Sequence, residues 1–138
     1  MNGVFRGVAH PWLCDVMGHM TTRHYVAMFD DASYHFLYEV FGWTGREAAA
    51  GGLGWADVHH EIDYKAEVAA GDLLAVDAAV ERVGTKSLTV RFEMRNLSKA
   101  TVAAVLTSTA VCFDMSERKA AAIPDDWRKA AEAALKRA

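Results

Sequence analysis

The chain has 138 residues, the length of one domain with a core of its own, and about half of them are apolar. Lys and Arg number 15 against 18 Asp and Glu, for a net charge of -3, so composition makes no case for a nucleic-acid partner. No apolar run nears the ~20 residues that span a bilayer, the first residues lack the basic-then-apolar pattern of a secretory signal, and two cysteines, Cys14 and Cys112, suit free thiols in a reducing cytoplasm.

Residues 4–13 alternate weakly and predict a first strand, which His10-Pro11 interrupts because proline donates no ladder bond. Asp15-Val16-Met17-Gly18-His19 then turns the chain, with Gly18 supplying a position free of a Cβ. From residue 22 to residue 41 the apolar positions Tyr25, Met28, Phe29, Ala32, Phe36, Val40 and Phe41 fall on one face of a helix. Thr21 or Thr22 fits the N-cap, where its hydroxyl would accept from a first-turn N–H, and Gly42 fits the stop. A glycine-rich loop over residues 42–54 follows, with one helical turn expected at Glu47–Ala50. Trp43 and Trp55 bracket it as packing residues.

The period then changes to two. Residues 55–68 predict a half-buried strand, with Ala56, Val58, His60, Ile62, Tyr64 and Ala66 on the covered face. Gly71-Asp72 signals a turn, and residues 73–83 a third strand facing inward at Leu74, Val76, Ala78 and Val80. Gly84-Thr85-Lys86 turns into a fourth, where Leu88, Val90, Phe92 and Met94 alternate with polar residues. Residues 101–115 form a fifth strand, apolar on both faces, hence a central strand or one covered by a second subunit. Residues 125–137 predict a surface helix with Asp125 and Asp126 at its start and Lys136 and Arg137 at its end, as the helix dipole favours. A long helix beside a sheet with one apolar face is a two-layer α+β domain over residues 1–138.

Asp15 is the leading chemical candidate. It stands just before a helix N-terminus, where unpaired amides and the positive dipole end gather. A carbonyl held there would be polarised on one side and open to attack on the other. The competing structural reading is a turn aspartate. His19 either lines this site or fixes its loop. Asp30 and Asp31 read as a solvated helix face, or as partners of Arg23 or His35. Arg82, Lys86, Arg91 and Arg95 read singly as a solvated strand face. No histidine or cysteine pair has ligand spacing, so no metal is expected.

The D-x-x-G-H run from Asp15 to His19, followed six residues later by Tyr25 and then by Phe29, Asp30, Asp31 and Ala32, resembles the start of the central helix in hotdog-fold acyl-CoA thioesterases of the 4-hydroxybenzoyl-CoA thioesterase-like family. The order of elements is similar along nearly the whole chain, and Tyr64 with Gly71-Asp72 matches a family strand-and-turn pattern. The resemblance implies a hotdog fold, a long central helix wrapped by five or six antiparallel strands. It implies hydrolysis of an acyl-CoA thioester to a free acid and CoA without a cofactor, by a cytoplasmic homodimer or homotetramer. Asp15 would then be the base or nucleophile, and the Thr22 amide would hold the thioester oxygen. Gly18 would shape the turn and offer a second amide, and His19 would line the site. Some hotdog enzymes use a helix carboxylate as base or nucleophile, so the resemblance also admits Asp30 or Asp31 facing the active site of a partner subunit, against the favoured reading of a solvated face or a pair with Arg23 or His35. The basic strand residues would meet the CoA phosphates.

The chain also departs from the family. Thr21-Thr22 stands where Asn-Asn is frequent, Leu13 where a second aspartate is common, and Glu67 where a proline often follows the strand tyrosine. Gly18-His19-Met20-Thr21 is similar to thioesterase domains associated with carnitine metabolism. Two other readings keep the fold: an acyl-CoA-binding module without turnover, and a hotdog acyl-CoA hydratase or dehydratase.

Overall fold

The structure is a computed structural model that describes residues 1–137, with side chains as far as Leu135. The Lys136 and Arg137 side chains expected to complement the last helix lie outside the described residues.

Each strongly periodic stretch forms the element that its pattern predicts. The elements in order are β1 (Phe5–Val8), a single 3-10 turn (Pro11–Leu13), α1 (Thr22–Phe41), α2 (Arg46–Ala49) and β2 (Leu53–Tyr64). After these come β3 (Leu73–Val83), β4 (Ser87–Asn96), β5 (Thr101–Asp114), β6 (Lys119–Ala120) and α3 (Asp125–Arg137). The sheet runs β1-β3-β4-β5-β2, and β6 pairs with β5. β5 therefore lies between β4 and β2, which accounts for its continuous buried run Ala103–Leu106.

Among the described residues, 1–35, 62–78 and 92–106 make one compact unit; 36–61, 79–91 and 107–137 make a second. In the first, β1 pairs antiparallel with β3, Phe5 opposite Val76 and Val8 opposite Leu73. Tyr25, Met28, Phe29 and Ala32 of α1 are buried, as are Leu74, Ala75 and Val76. Gly7 makes room for this packing, since a Cβ there would lie 3.2 Å from the Met28 sulfur. Burying a side chain such as Phe29 contributes roughly 1.5–3 kcal/mol, before the entropy of ordering it is subtracted.

In the second unit, Gly42 ends α1 at φ +69°, its N–H reaching the Tyr38 carbonyl at 2.8 Å. A left-handed residue closing a helix in this way is the common glycine stop. Trp43 is buried and donates to the Leu53 carbonyl at 3.1 Å. Phe41, Trp55 and Trp127 cluster with ring centroids 5.4–5.7 Å apart, so α3 is held by an aromatic contact as well as by Ala131 and Ala134. Arg128 ties the same helix to the β3–β4 turn through the carbonyls of Gly84 and Thr85. Both thiols are free; Cys112 is buried, which raises its pKa, and Cys14 is half-buried.

Two expectations need correction. β2 is a strand, but the face expected to be covered is open: Val58 is 59% exposed and Tyr64 48%. β2 is the outer strand of the sheet, and alternation alone does not tell whether a face is covered. The Thr21 hydroxyl does not cap α1 but turns to the Leu13 carbonyl at 3.5 Å. The Thr21 N–H bonds the same carbonyl at 3.1 Å, and that pairing sets the direction of the residue.

Candidate active site

Asp15 sits in a short hairpin that leads into α1. The Asp15 N–H donates to the His19 carbonyl at 2.9 Å, and the Gly18 N–H to the Asp15 carbonyl at 3.0 Å. Cys14 bridges Met20, and Thr21 bonds Leu13, so three successive rungs align the two arms. The tip requires a left-handed residue, and Gly18 adopts φ +79°.

The Asp15 carboxylate is half-buried and oriented from within the hairpin. Its Oδ1 accepts from the Met17 amide at 2.8 Å and from the His19 amide at 3.3 Å. Oδ2 meets no donor among the described residues. One oxygen therefore does the work of a turn aspartate while the other is left open. The turn role falls to Oδ1 and leaves Oδ2 without a partner among the described residues.

Thr22 is the first residue of α1, one position beyond the Thr21–Leu13 rung. The Thr21 carbonyl already receives the His24 N–H at 3.0 Å, which marks Thr21 as the boundary of the helix. The Thr22 N–H meets no acceptor among the described residues, as expected of a first-turn amide. α1 has no acidic residue in its first turn, so its positive dipole end is not offset from within the helix.

His19 contributes both its backbone and its ring. It pairs with Ala69 in an isolated bridge, and its Nε2 lies 3.2 Å from Glu67 Oε2. The ring thus has a carboxylate neighbour on an exposed side chain, at the position where a proline was the family expectation. Tyr25 of α1 is buried and meets Tyr64 edge-on at 5.2 Å. Burial raises the Tyr25 pKa, against an opposing hydrogen bond from Val68 backbone, so its hydroxyl is a neutral wall. Trp12, Val16 and Met17, just before and within the hairpin, stand out into solvent at 74%, 104% and 71% exposure.

Other titratable side chains stand outside the hairpin itself. Asp30 and Asp31 are exposed. His24 accepts from Arg23 Nε at 3.3 Å, and His60 lies 3.9 Å from Asp57. Arg95 is held by Asp77 through two bonds of 2.6 and 3.0 Å, so its guanidinium is already engaged. A surface hollow of ≈ 330 Å³ over the β4–β5 turn is lined by Arg95, Asn96, Leu97, Ala100, Thr101 and Val102, none of them a predicted catalytic residue. The linkage that the sequence conceals is Asp72, read there only as a turn residue. It is 7% exposed, and its Oδ2 receives Ala69, Asn96 and Lys99. A Gly-Asp turn followed by an asparagine at the end of the next hairpin was the signal available.

Comparison with known proteins defines the class first by fold. SAV2348 from Staphylococcus aureus, solved in complex with CoA, superposes with a TM-score of 0.89 at 17% identity, over 99% of this chain and 85% of that one. Slr0204 from Synechocystis, a 1,4-dihydroxy-2-naphthoyl-CoA thioesterase, gives 0.80 at 21% identity, over 92% and 93%. BH1999, a gentisyl-coenzyme A thioesterase, gives 0.79 at 20% identity, over 91% and 97%. The fold is the hotdog fold, as the sequence resemblance implied.

Residues 9–131 match the model of the thioesterase-like superfamily, and the chain belongs to that family. Membership places it among the thioester hydrolases. No curated protein matches it in sequence.

Proposed function

We propose that the protein hydrolyses an acyl-CoA thioester to a free acid and CoA, with Asp15 as the reacting carboxylate and the Thr22 amide as an oxyanion donor. The observation that carries this reading is the division of labour at Asp15. Two backbone amides fix Oδ1, and Oδ2 remains open in the hairpin that feeds a helix N-terminus. An oriented carboxylate on the segment that leads into a helix N-terminus with a free first-turn N–H is suited to a carbonyl that gains negative charge as it is attacked.

Two routes use these groups. In one, Asp15 Oδ2 takes a proton from water as the water oxygen attacks the thioester carbon. The tetrahedral oxyanion rests on the Thr22 N–H, and its collapse breaks the C–S bond and releases CoA. In the other, Oδ2 attacks the carbon itself and expels CoA, and water then cleaves the mixed anhydride. Both give the same products and neither requires a metal or redox group.

Gly18 shapes the turn in this account, with its N–H committed to the Asp15 carbonyl. His19 lines the site while its amide orients Asp15. The CoA-bound structure of SAV2348 supports CoA as the carrier group. The exposed apolar residues Trp12, Val16 and Met17 support a site completed by a second copy of the chain, as a homodimer or homotetramer. Release of free thiol from short, branched, long and aromatic acyl-CoAs tests the reading and identifies the acyl class. Hydrolysis of at least one class is expected. Tight binding of acyl-CoA with no thiol release would replace the enzyme with a binding module.

A further inference from the structure

Asp72 is a buried carboxylate that the proposed reaction does not use. Three donors converge on its Oδ2: the Ala69 amide at 2.9 Å, Asn96 Nδ2 at 2.8 Å and Lys99 Nζ at 3.2 Å. Asn96 also accepts the Lys99 amide at 3.1 Å, so the β4–β5 turn is shaped around the same oxygen. The turn carrying Asp72 is fastened on its other side by two bonds to Ala9, of 2.9 and 2.7 Å.

The Asp15 hairpin is docked on this anchored turn. The Met20 amide donates to the Val68 carbonyl at 2.8 Å, His19 bridges Ala69, and the Ala70 amide reaches the Gly18 carbonyl at 3.3 Å. A short path therefore joins the two carboxylates. Asp72 holds the Ala69 amide, Ala69 pairs with His19, and the His19 amide donates to Asp15 Oδ1. The hairpin tip is otherwise solvent-facing, with Val16, Met17 and Gly18 exposed, so this seam is its fixed side.

We propose that Asp72 is a positioning residue for Asp15, acting through the Ala69–His19 bridge to hold the carboxylate in its reactive orientation. This rests on the catalytic reading of Asp15 given above. A carboxylate that shifts by about an ångström loses roughly 10²-fold in rate while substrate binding elsewhere is kept. The signature of Asp72 is therefore a fall in kcat with little change in KM.

The test compares Asp72→Asn with wild type for kcat, KM and hydrogen exchange at the Met20 amide. Arg128→Met serves as a control, because it removes bonds to Gly84 and Thr85 in the second compact unit and has no part in the path. Asp72→Asn is expected to lose roughly 10- to 100-fold in kcat at near-constant KM, with faster exchange at Met20. Arg128→Met should lower thermal stability while kcat and Met20 exchange hold. Should Asp72→Asn fail to fold, Lys99→Met withdraws one donor from a half-exposed side chain and should move both readouts the same way by less. Wild-type kcat and wild-type Met20 exchange in the folded variant would overturn the proposal, and so would an equal loss of kcat in the Arg128→Met control. The exchange measurement reads the tether without reference to chemistry. Faster Met20 exchange in Asp72→Asn together with a wild-type rate in Asp15→Asn would thus remove the catalytic reading and leave the tether supported.

Discussion

The Met17 amide donates to Oδ1 of Asp15 at 2.8 Å, two residues along the chain. This bond, with the one from His19, fixes the carboxylate by the backbone of its own hairpin. The hairpin in turn depends on Gly18 at φ +79°. A Cβ at Gly18 meets no atom within 4 Å, so the cost of Gly18→Ala comes from the backbone conformation alone. That cost is about 1–2 kcal/mol, or roughly 3–6 °C in Tm for a chain of this size. Gly18→Asn should cost less, because asparagine tolerates the left-handed region better. Thermal melts of the two variants check the order; equal Tm values for wild type and Gly18→Ala would contradict it.

Thr22→Pro tests the proposed oxyanion donor. Proline is well tolerated at the first position of a helix, where it removes an N–H that the helix does not use. The fold should survive, as read by circular dichroism. The rate should fall by ~10²- to 10³-fold if that amide holds the oxyanion. Thr22→Val keeps the amide and should keep most of the rate, which separates backbone from side chain.

Stability should depend on pH through Asp72 and Asp77. Burial raises the pKa of each, but the bonds to the Ala69 amide, Asn96 and Lys99 outweigh it at Asp72, and those to Arg95 and the Gly3 amide outweigh it at Asp77. Both carboxyls end below the ordinary aspartate value of 3.8. Folding therefore favours the ionised forms. Their contribution is fully present above the unfolded pKa and is lost as pH falls through the folded one. Wild-type Tm should hold from pH 7 to 5 and drop below about pH 4. The gap between wild type and Asp72→Asn should close over that drop; a gap that stays constant from pH 7 to pH 3 would contradict the linkage.

The outer position of β2 bears on assembly. It is 12 residues long, has no proline, and exposes Val58 and Tyr64 beside an edge that pairs with no described strand. Long open edges invite pairing with another chain, and lysine on such an edge discourages it. Sedimentation of the wild type should give a dimer or tetramer at micromolar concentration, and Val58→Lys should shift it toward monomer. A stable folded monomer of the wild type would contradict the expected oligomer.

Periodicity made α1, β3 and β4 legible, because each buries one face over most of its length: Phe29, Phe36, Leu74, Val76, Leu88 and Met94 are at or near zero exposure. The burial of β2 was not legible, since its neighbours are set by the order of the sheet rather than by its own residues. β6 spans only Lys119–Ala120, too short for any pattern, and follows Arg118 at φ 58°. At the site, the D-x-x-G spacing announced the turn and the helix start announced free amides. The partners of His19 and Asp72 were hidden, because Glu67, Asn96 and Lys99 lie tens of residues away and only the folded chain brings them close.

The measurement that bears most directly on the central claim is the rate of CoA thiol release by Asp15→Asn on the best substrate of the wild type. Asparagine is nearly the same size and retains a carbonyl oxygen for the Met17 and His19 amides, so the hairpin should stand. It is neither an effective base nor a carboxylate nucleophile. The account predicts a kcat lower by ~10²- to 10⁴-fold with acyl-CoA binding close to wild type, which locates the defect in the chemical step. Hydrolysis by Asp15→Asn at the wild-type rate would contradict it.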